Sequence, residues 1–264
     1  MNIASPTPVF SRQNQLWHPE PQAMGPFGGL HGGAVSGLLT GELETLAADA
    51  EHGTAISAQV YLLRPAPLVA SETKPVAVRE GGRVAVYENE LWANGKLQAK
   101  ASMCFLKGVP AGKEIAGIAP VLQGSEVREA QVNPDELPVW QFEGKTFGTS
   151  YLSAVDVREA PDGLIWLRAV QPLFNRATPF ASTMSFADFS TLFSVVAAGR
   201  RPAAGGWPNA DIGLHLSRLP VGPWIGLKTR SDWFADGRGV TESQIYDIYG
   251  RMGRSTQAAV LAPL

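Results

Sequence analysis

One series of elements occurs twice in this chain, and that repeat limits the folds open to it more than any other feature. The first series opens with a helix predicted from about Ala34 to Ala50. Leu38, Leu39, Leu43 and Leu46 recur there at helical spacing, with Glu42, Glu44 and Asp49 on the other face. His52-Gly53 stops it. Strand-like segments follow: ISAQVYLLRP, KPVAVRE, GRVAVYENELWANG and KLQAKASMCFLKG. The second series opens with a helix predicted from about Asp188 to Ala198. It is apolar nearly all round through Leu192, Phe193, Val195 and Val196, and so is expected to be buried on most sides. Its strands are DIGLHLSRLP, WIGLKTRSDWFADG, GVTESQIYDIYG and RSTQAAVLAP. Arg64, Gly82 and Gly95 return as Arg218, Gly237 and Gly250 at nearly the same intervals. Asn94-Gly95 and Tyr249-Gly250 read as hairpin turns. Each half is then one long helix on an antiparallel meander, each burying one face on the other. Two such units, related by duplication, can join edge to edge in one long α+β sheet.

The repeat sets the domain plan: a first unit over 1–109, a linker over 110–146 rich in Pro, Gly and Glu, and a second unit over 147–264 whose opening strands include LIWLRAV. With 45% apolar residues, 264 residues can bury a sizeable core. A formal net charge of −2 and only 17% charged residues give nucleic acid or an anionic membrane nothing to bind. The single cysteine, Cys104, excludes a disulfide within the chain. It lies in the alternating segment ASMCFL, where a buried inert thiol is favoured over a nucleophile. The N-terminus lacks a basic stretch before an apolar one, and no apolar run reaches the ~20 residues of a membrane span. A cytoplasmic protein with no membrane partner is expected.

Several chemistries are excluded by absence. There is no Gly-x-Ser-x-Gly elbow, no phosphate-binding Gly-x-x-x-x-Gly-Lys-Ser/Thr, and no Gly-x-Gly-x-x-Gly opening a helix after a strand. His18, His31, His52 and His215 show no metal spacing, so no metal or cofactor is expected. Three features remain. GPFGGLHGG, Gly25 to Gly33, precedes the first helix; it is either an ordinary loop or a place where free helix amides polarise a carbonyl. Asp188 stands in the apolar run FADFSTLF, where an unpaired charge would be costly. It either caps a helix or serves as a functional acid held ionised by the helix start. Gln257 lies in GRSTQAAV, while Asn209 and Asp211 sit before or at the start of DIGLHLSR; each is either a surface residue or a buried group in need of a partner.

Together these stretches resemble the acyl-CoA thioesterase II family, the double hotdog thioesterases. FGGLHGGAVSGLL followed by ISAQVYLLRP is similar to that family's first helix start and its strand ending in Leu-Arg-Pro. FADFSTLF resembles its Asp-bearing helix start, and WFADGRGVTESQIYDIYGRMGRSTQAAV its closing meander. The resemblance runs from about residue 15 to 262 and implies a double hotdog fold, an acyl-CoA substrate, a part in fatty acid metabolism, no cofactor and a homo-oligomer. It also implies an Asp, a Thr or Ser, and a Gln that together hold an attacking water. Asp188 matches the acid as general base, and Gln257 matches the glutamine. The hydroxyl position falls on Asn209, a departure; an asparagine can still donate and accept hydrogen bonds. His31, Gly32 and Gly33 of the glycine loop and Asp211 are the candidates for binding substrate. Ser102, which matches Gln257 in the first half, and the lack of an Asp near Ala34 leave one polar set, hence one site where the halves meet.

Two other readings stand beside thioester hydrolysis. Hotdog hydratases use an Asp–His pair, but His215 is the only histidine of the second half. A non-catalytic acyl-CoA-binding protein is the other, supported by Asn209. Arg200 and Arg201, or Arg251 and Arg254, could meet the CoA phosphates, although a solvated basic face is the plainer reading.

Overall fold

The computed structural model describes residues 6–48, 51–109, 132–141, 148–176, 178–199 and 206–262. The N-terminal hairpin, β1 (Phe10–Gln13) and β2 (Leu16–Pro19), leads to helix α1 (Gly32–Ala47). The first meander follows as β3 (Thr54–Leu62), β4 (Glu72–Thr73), β5 (Val76–Glu80), β6 (Val84–Ala93) and β7 (Lys96–Leu106). The second unit repeats the plan: hairpin β8 (Val155–Glu159) and β9 (Ile165–Ala169), helices α2 (Pro179–Ala187) and α3 (Ser190–Ala197), then β10 (Asp211–Leu216), β11 (Ile225–Trp233), β12 (Arg238–Asp247) and β13 (Gly250–Val260). Asn94-Gly95 makes the expected tight turn, with φ of 50° and 69° at the two residues.

The two meanders and the β8–β9 hairpin form one antiparallel sheet of 11 strands. They join where β3 pairs with β10, from Asp211 opposite Tyr61 to His215 opposite Ser57. Gln59 faces Gly213 in that register, and these two residues have the same separation in sequence as the repeated Arg64 and Arg218. The duplicated units therefore meet about a twofold at their shared strand edge. In β10 the side chains of Ile212, Leu214 and Leu216 are buried under the helices, as are Ile245 of β12 and Gln257 of β13. Asp211 and His215 alternate to the outer face.

The helices depart from expectation in an informative way. α1 buries two faces, so Glu42 is buried and Leu46 is 44% exposed, the reverse of the pattern read from spacing. The cause is a row of small residues. A Cβ at Gly33 would run into the Ser185 carbonyl, one at Gly37 into Leu173 and Ser185, and one at Gly41 into Phe174. These positions let α1 lie against α2 backbone to backbone. Glu42 is accommodated by Asn89 Nδ2, which donates to it at 3.2 Å, and by Arg12 at 3.3 Å. Asp49 lies outside the described residues.

The second helix begins at Pro179, well before Asp188, with proline at its favoured first position. Glu44 of α1 accepts the amides of Phe180 (3.4 Å) and Ala181 (2.9 Å) at its N-terminus. The helix then bends by 41° between α2 and α3, at Asp188 and Phe189. Within the expected linker, Val139 bridges to Arg158 of β8 and the Trp140 amide donates to the Val157 carbonyl at 2.9 Å. Residues 110–131 and 142–147 lie outside the described residues. Cys104 is half-buried, not buried, because its position on β7 turns to the outer face. Among the described residues no single helix is long and apolar enough to cross a membrane.

Candidate active site

The bend between α2 and α3 organises the site. A bend frees backbone carbonyls from the helical ladder, and buried carbonyls need donors. Asn209 Nδ2 donates to the Asp188 carbonyl at 3.1 Å, and Gln257 Nε2 donates to the Ala187 carbonyl. Two side-chain amides, one just before β10 and one on β13, thus take the place of the missing helical bonds. The other end of each amide turns to one hydroxyl: Thr191 Oγ1 lies 2.8 Å from Asn209 Oδ1 and 2.8 Å from Gln257 Oε1, with Thr241 Oγ1 at 3.2 Å.

The bend aims the Asp188 carboxylate at the other half of the chain. Its Oδ2 accepts the Gly33 amide at 2.6 Å and lies 3.0 Å from His31 Nδ1, while Oδ1 accepts Asn209 Nδ2 at 2.8 Å. Asp188 does meet a helix N-terminus, as its place in the sequence suggested. That terminus belongs to α1, not to its own helix. Only 9% of Asp188 is exposed. Burial alone would push its pKa up; the charge and hydrogen bond of His31, with the bonds from Asn209 and Gly33, outweigh burial and hold it below the ordinary carboxylate range.

His31 is the N-cap of α1, and its ring lies against Phe189 and Tyr151, with centroids 4.7 Å and 5.1 Å away. Its Nδ1 is also 3.1 Å from the Gly33 amide. Nδ1 cannot accept from that amide and donate to Asp188 at once. An unprotonated Nδ1 would set a lone pair against a carboxylate at 3.0 Å. The amide is better served by the carboxylate at 2.6 Å. Nδ1 therefore carries a proton and donates it to Asp188.

The structure brings Asp188, Asn209, Gln257, His31 and Gly33 together, with Gly32 against the carboxylate: a Cβ there would stand 3.0 Å from both Asp188 oxygens. It separates Asp211 from them. Asp211 faces the outer side of the sheet, accepting from Gln59 Nε2 at 3.0 Å and from the Ala258 amide at 2.7 Å. Gln257 is 1% exposed and both ends of its amide are bonded to protein. Ser102 lies half-buried on β7 opposite Gln59 and Glu88. His215 is exposed on the outer face, so the histidine that meets the acid comes from the first half. Arg251 and Arg254 are exposed on β13, and Arg200 and Arg201 lie outside the described residues. Thr191 and Thr241 were not singled out from sequence. The signals were present: Thr191 is a hydroxyl one helical turn past Asp188 in an apolar run, and Thr241 shares the inward parity of Ile245.

Residues 20–106 match the model of the acyl-CoA thioesterase N-terminal domain, and residues 134–261 that of the acyl-CoA thioesterase C-terminal domain. The chain belongs to the acyl-CoA thioesterase family. Membership makes it a thioester hydrolase, with the two domain models falling on the two halves of the sheet. Solved structures share the fold at low identity. A protein from Novosphingobium aromaticivorans DSM 12444 is 20% identical over 97% of this chain and 99% of its own, with a TM-score of 0.70. A hot dog protein from Alicyclobacillus acidocaldarius is 14% identical over 97% and 96%, at 0.69. The acyl-CoA thioesterase II TesB2 of Mycobacterium marinum is 14% identical over 97% and 96%, at 0.64. No curated protein matches the chain in sequence. The thioesterase fold is therefore that of the double hotdog proteins, as the family resemblance implied.

Proposed function

We propose that this thioesterase hydrolyses acyl-CoA to a free acid and CoA with water activated at Asp188. The observation that carries the proposal is a buried carboxylate, held ionised and anchored by groups from both halves, where a helix N-terminus meets the acid. A thioester is an activated acyl group, so water directed by a base suffices and no nucleophilic side chain is required. Because the Gly33 amide is already bonded to Asp188, the amide of half-buried Gly32 in the same first turn is the donor suited to the developing oxyanion. Gln257 acts by position: it supports the bend and Thr191, while Asn209 holds Asp188 directly. Asn209 in place of a hydroxyl is thus compatible with catalysis, which weighs against a purely binding role. The Asp–His contact removes the argument against a hydratase from His215, but the family match favours hydrolysis. A homo-oligomer is supported by the β5 edge, where Val76 and Val78 are more than half exposed.

Thiol release from acyl-CoAs of short, medium, long and aromatic type tests the proposal. Release by the wild type that collapses in Asp188→Ala is the expected result. No release on any chain from folded wild type would leave the acyl-CoA-binding reading in its place.

A further inference from the structure

We infer that His31 is a catalytic residue that carries the proton of the reaction, taking it from the attacking water and returning it to the departing sulfur. The inference rests on the thioesterase reading above and moves the immediate proton acceptor from Asp188 to His31, leaving Asp188 to hold the ring and stabilise its charge. Both Asp188 oxygens already accept hydrogen bonds: Oδ2 from the Gly33 amide and His31 Nδ1, and Oδ1 from Asn209. Both lone pairs of Oδ2 are engaged, while Oδ1 keeps one. The carboxylate is thus better arranged to stay charged than to receive a proton.

The imidazole is arranged the other way. Nδ1–H is fixed by Asp188 at 3.0 Å, so it is Nε2 that gains and loses the second proton, and its lone pair is free whenever the ring is uncharged. Nε2 has no hydrogen-bond partner among the described residues, and 12% of the side chain is exposed. Phe189 and Tyr151 fix the ring plane. The titratable groups facing the ring are Asp188 from the α2–α3 bend and Tyr151 from the turn before β8. Burial pushes the Tyr151 phenol up, so it stays neutral and does not compete for the proton.

The step balances. Water oxygen bonds to the thioester carbon as one water proton moves to His31 Nε2, and the imidazolium is stabilised by the Asp188 carboxylate. When the tetrahedral intermediate collapses, the C–S bond breaks and its electron pair goes to sulfur. Nε2–H then protonates that sulfur, leaving a carboxylic acid, a thiol and the neutral ring. No other reagent is consumed. The dyad unites a histidine of the first unit with an aspartate of the second, so neither unit alone contains it.

The test is His31→Asn, which retains a donor near the Nδ1 position and a good helix N-cap. Folding is checked by circular dichroism and melting. Rates are compared for a CoA thioester and for an aryl thioester of the same acyl group, whose thiolate leaves without a proton. On the CoA ester, kcat should fall about 100-fold or more, the scale of a lost general acid–base group. On the aryl ester the loss should be at least about tenfold smaller, because only the water step still needs the base. Near wild-type rates in His31→Asn, or equal losses on both esters, would overturn the inference. Neither result would touch the hydrolase reading, which fails only if the wild type releases no thiol.

Discussion

At the scale of single residues, one proton is shared among several acceptors. Thr191 has one hydroxyl hydrogen, yet two amide oxygens lie 2.8 Å from it. Thr191→Val removes the donor and leaves both oxygens wanting, while changing shape little. A buried acceptor left without a partner costs about 1–3 kcal/mol. We expect denaturant unfolding to show a loss of that size, kcat to fall and KM to stay put; Thr191→Ser should recover most of both. Unchanged stability and kcat in Thr191→Val would contradict the hub. Legibility at this scale was partial. Asp188 and Gln257 stood out because polar residues in apolar runs are conspicuous. Thr191 and Thr241 did not, since a threonine is unremarkable in sequence, and the pairing of His31 with Asp188 was hidden because packing between distant segments decides it. Asp211 turns to the outer face, away from Asp188, because one residue along a strand reverses the face, and an unsure register hides which side a carboxylate takes.

Between elements, the decisive contact is α1 on α2. Glycines at positions 33, 37 and 41 weaken α1 as an isolated helix, at about 1 kcal/mol each against alanine. Close packing repays this. A Cβ at Gly37 would come within 2.8 Å of Ser185 Cβ and 3.1 Å of the Ala181 carbonyl oxygen. Backbone cannot step aside as a flexible side chain can, so the clash outweighs the propensity gained. Gly37→Val should destabilise by roughly 1–3 kcal/mol, as overpacked cores do, and should lower kcat because α1 carries His31 and Gly33. A Gly37→Val protein more stable than wild type on thermal melting would refute the backbone-to-backbone contact. Sequence showed both helices but mistook the second's start. The segment before Asp188 carries Thr178, Ser182, Thr183 and Ser185, residue types of modest helix propensity; Ser182 and Thr183 bond to carbonyls one turn back.

The duplication was the most legible property of the whole molecule, because spacing of turns and strands survives when side chains diverge. What diverged was the use of matched positions. Arg64 is exposed, whereas its counterpart Arg218 pairs with buried Asp247. Burial pushes the Asp247 carboxyl up, but Arg218 and the amides of Val221 and Tyr249 more than offset it and hold its pKa below the ordinary value. A depressed carboxylate pKa stabilises fully above the unfolded value, near 4, and the stabilisation is lost as pH falls through the folded value. Asp247→Asn should cost about 3 kcal/mol at neutral pH, and the gap to wild type in acid unfolding should close below pH ~4. A gap that stays constant into acid would contradict the assignment. Sequence put one site where the halves meet but could not show that His31 reaches Asp188, since nothing local to either residue announces the other. That meeting point is where the thioester would be cleaved. Its most direct test is single-turnover hydrolysis of the best acyl-CoA by wild type and Asp188→Asn, which keeps the side chain's shape without its charge. The chemical step should slow about 100-fold or more in the folded variant. An undiminished step would show that the thioester is cleaved elsewhere.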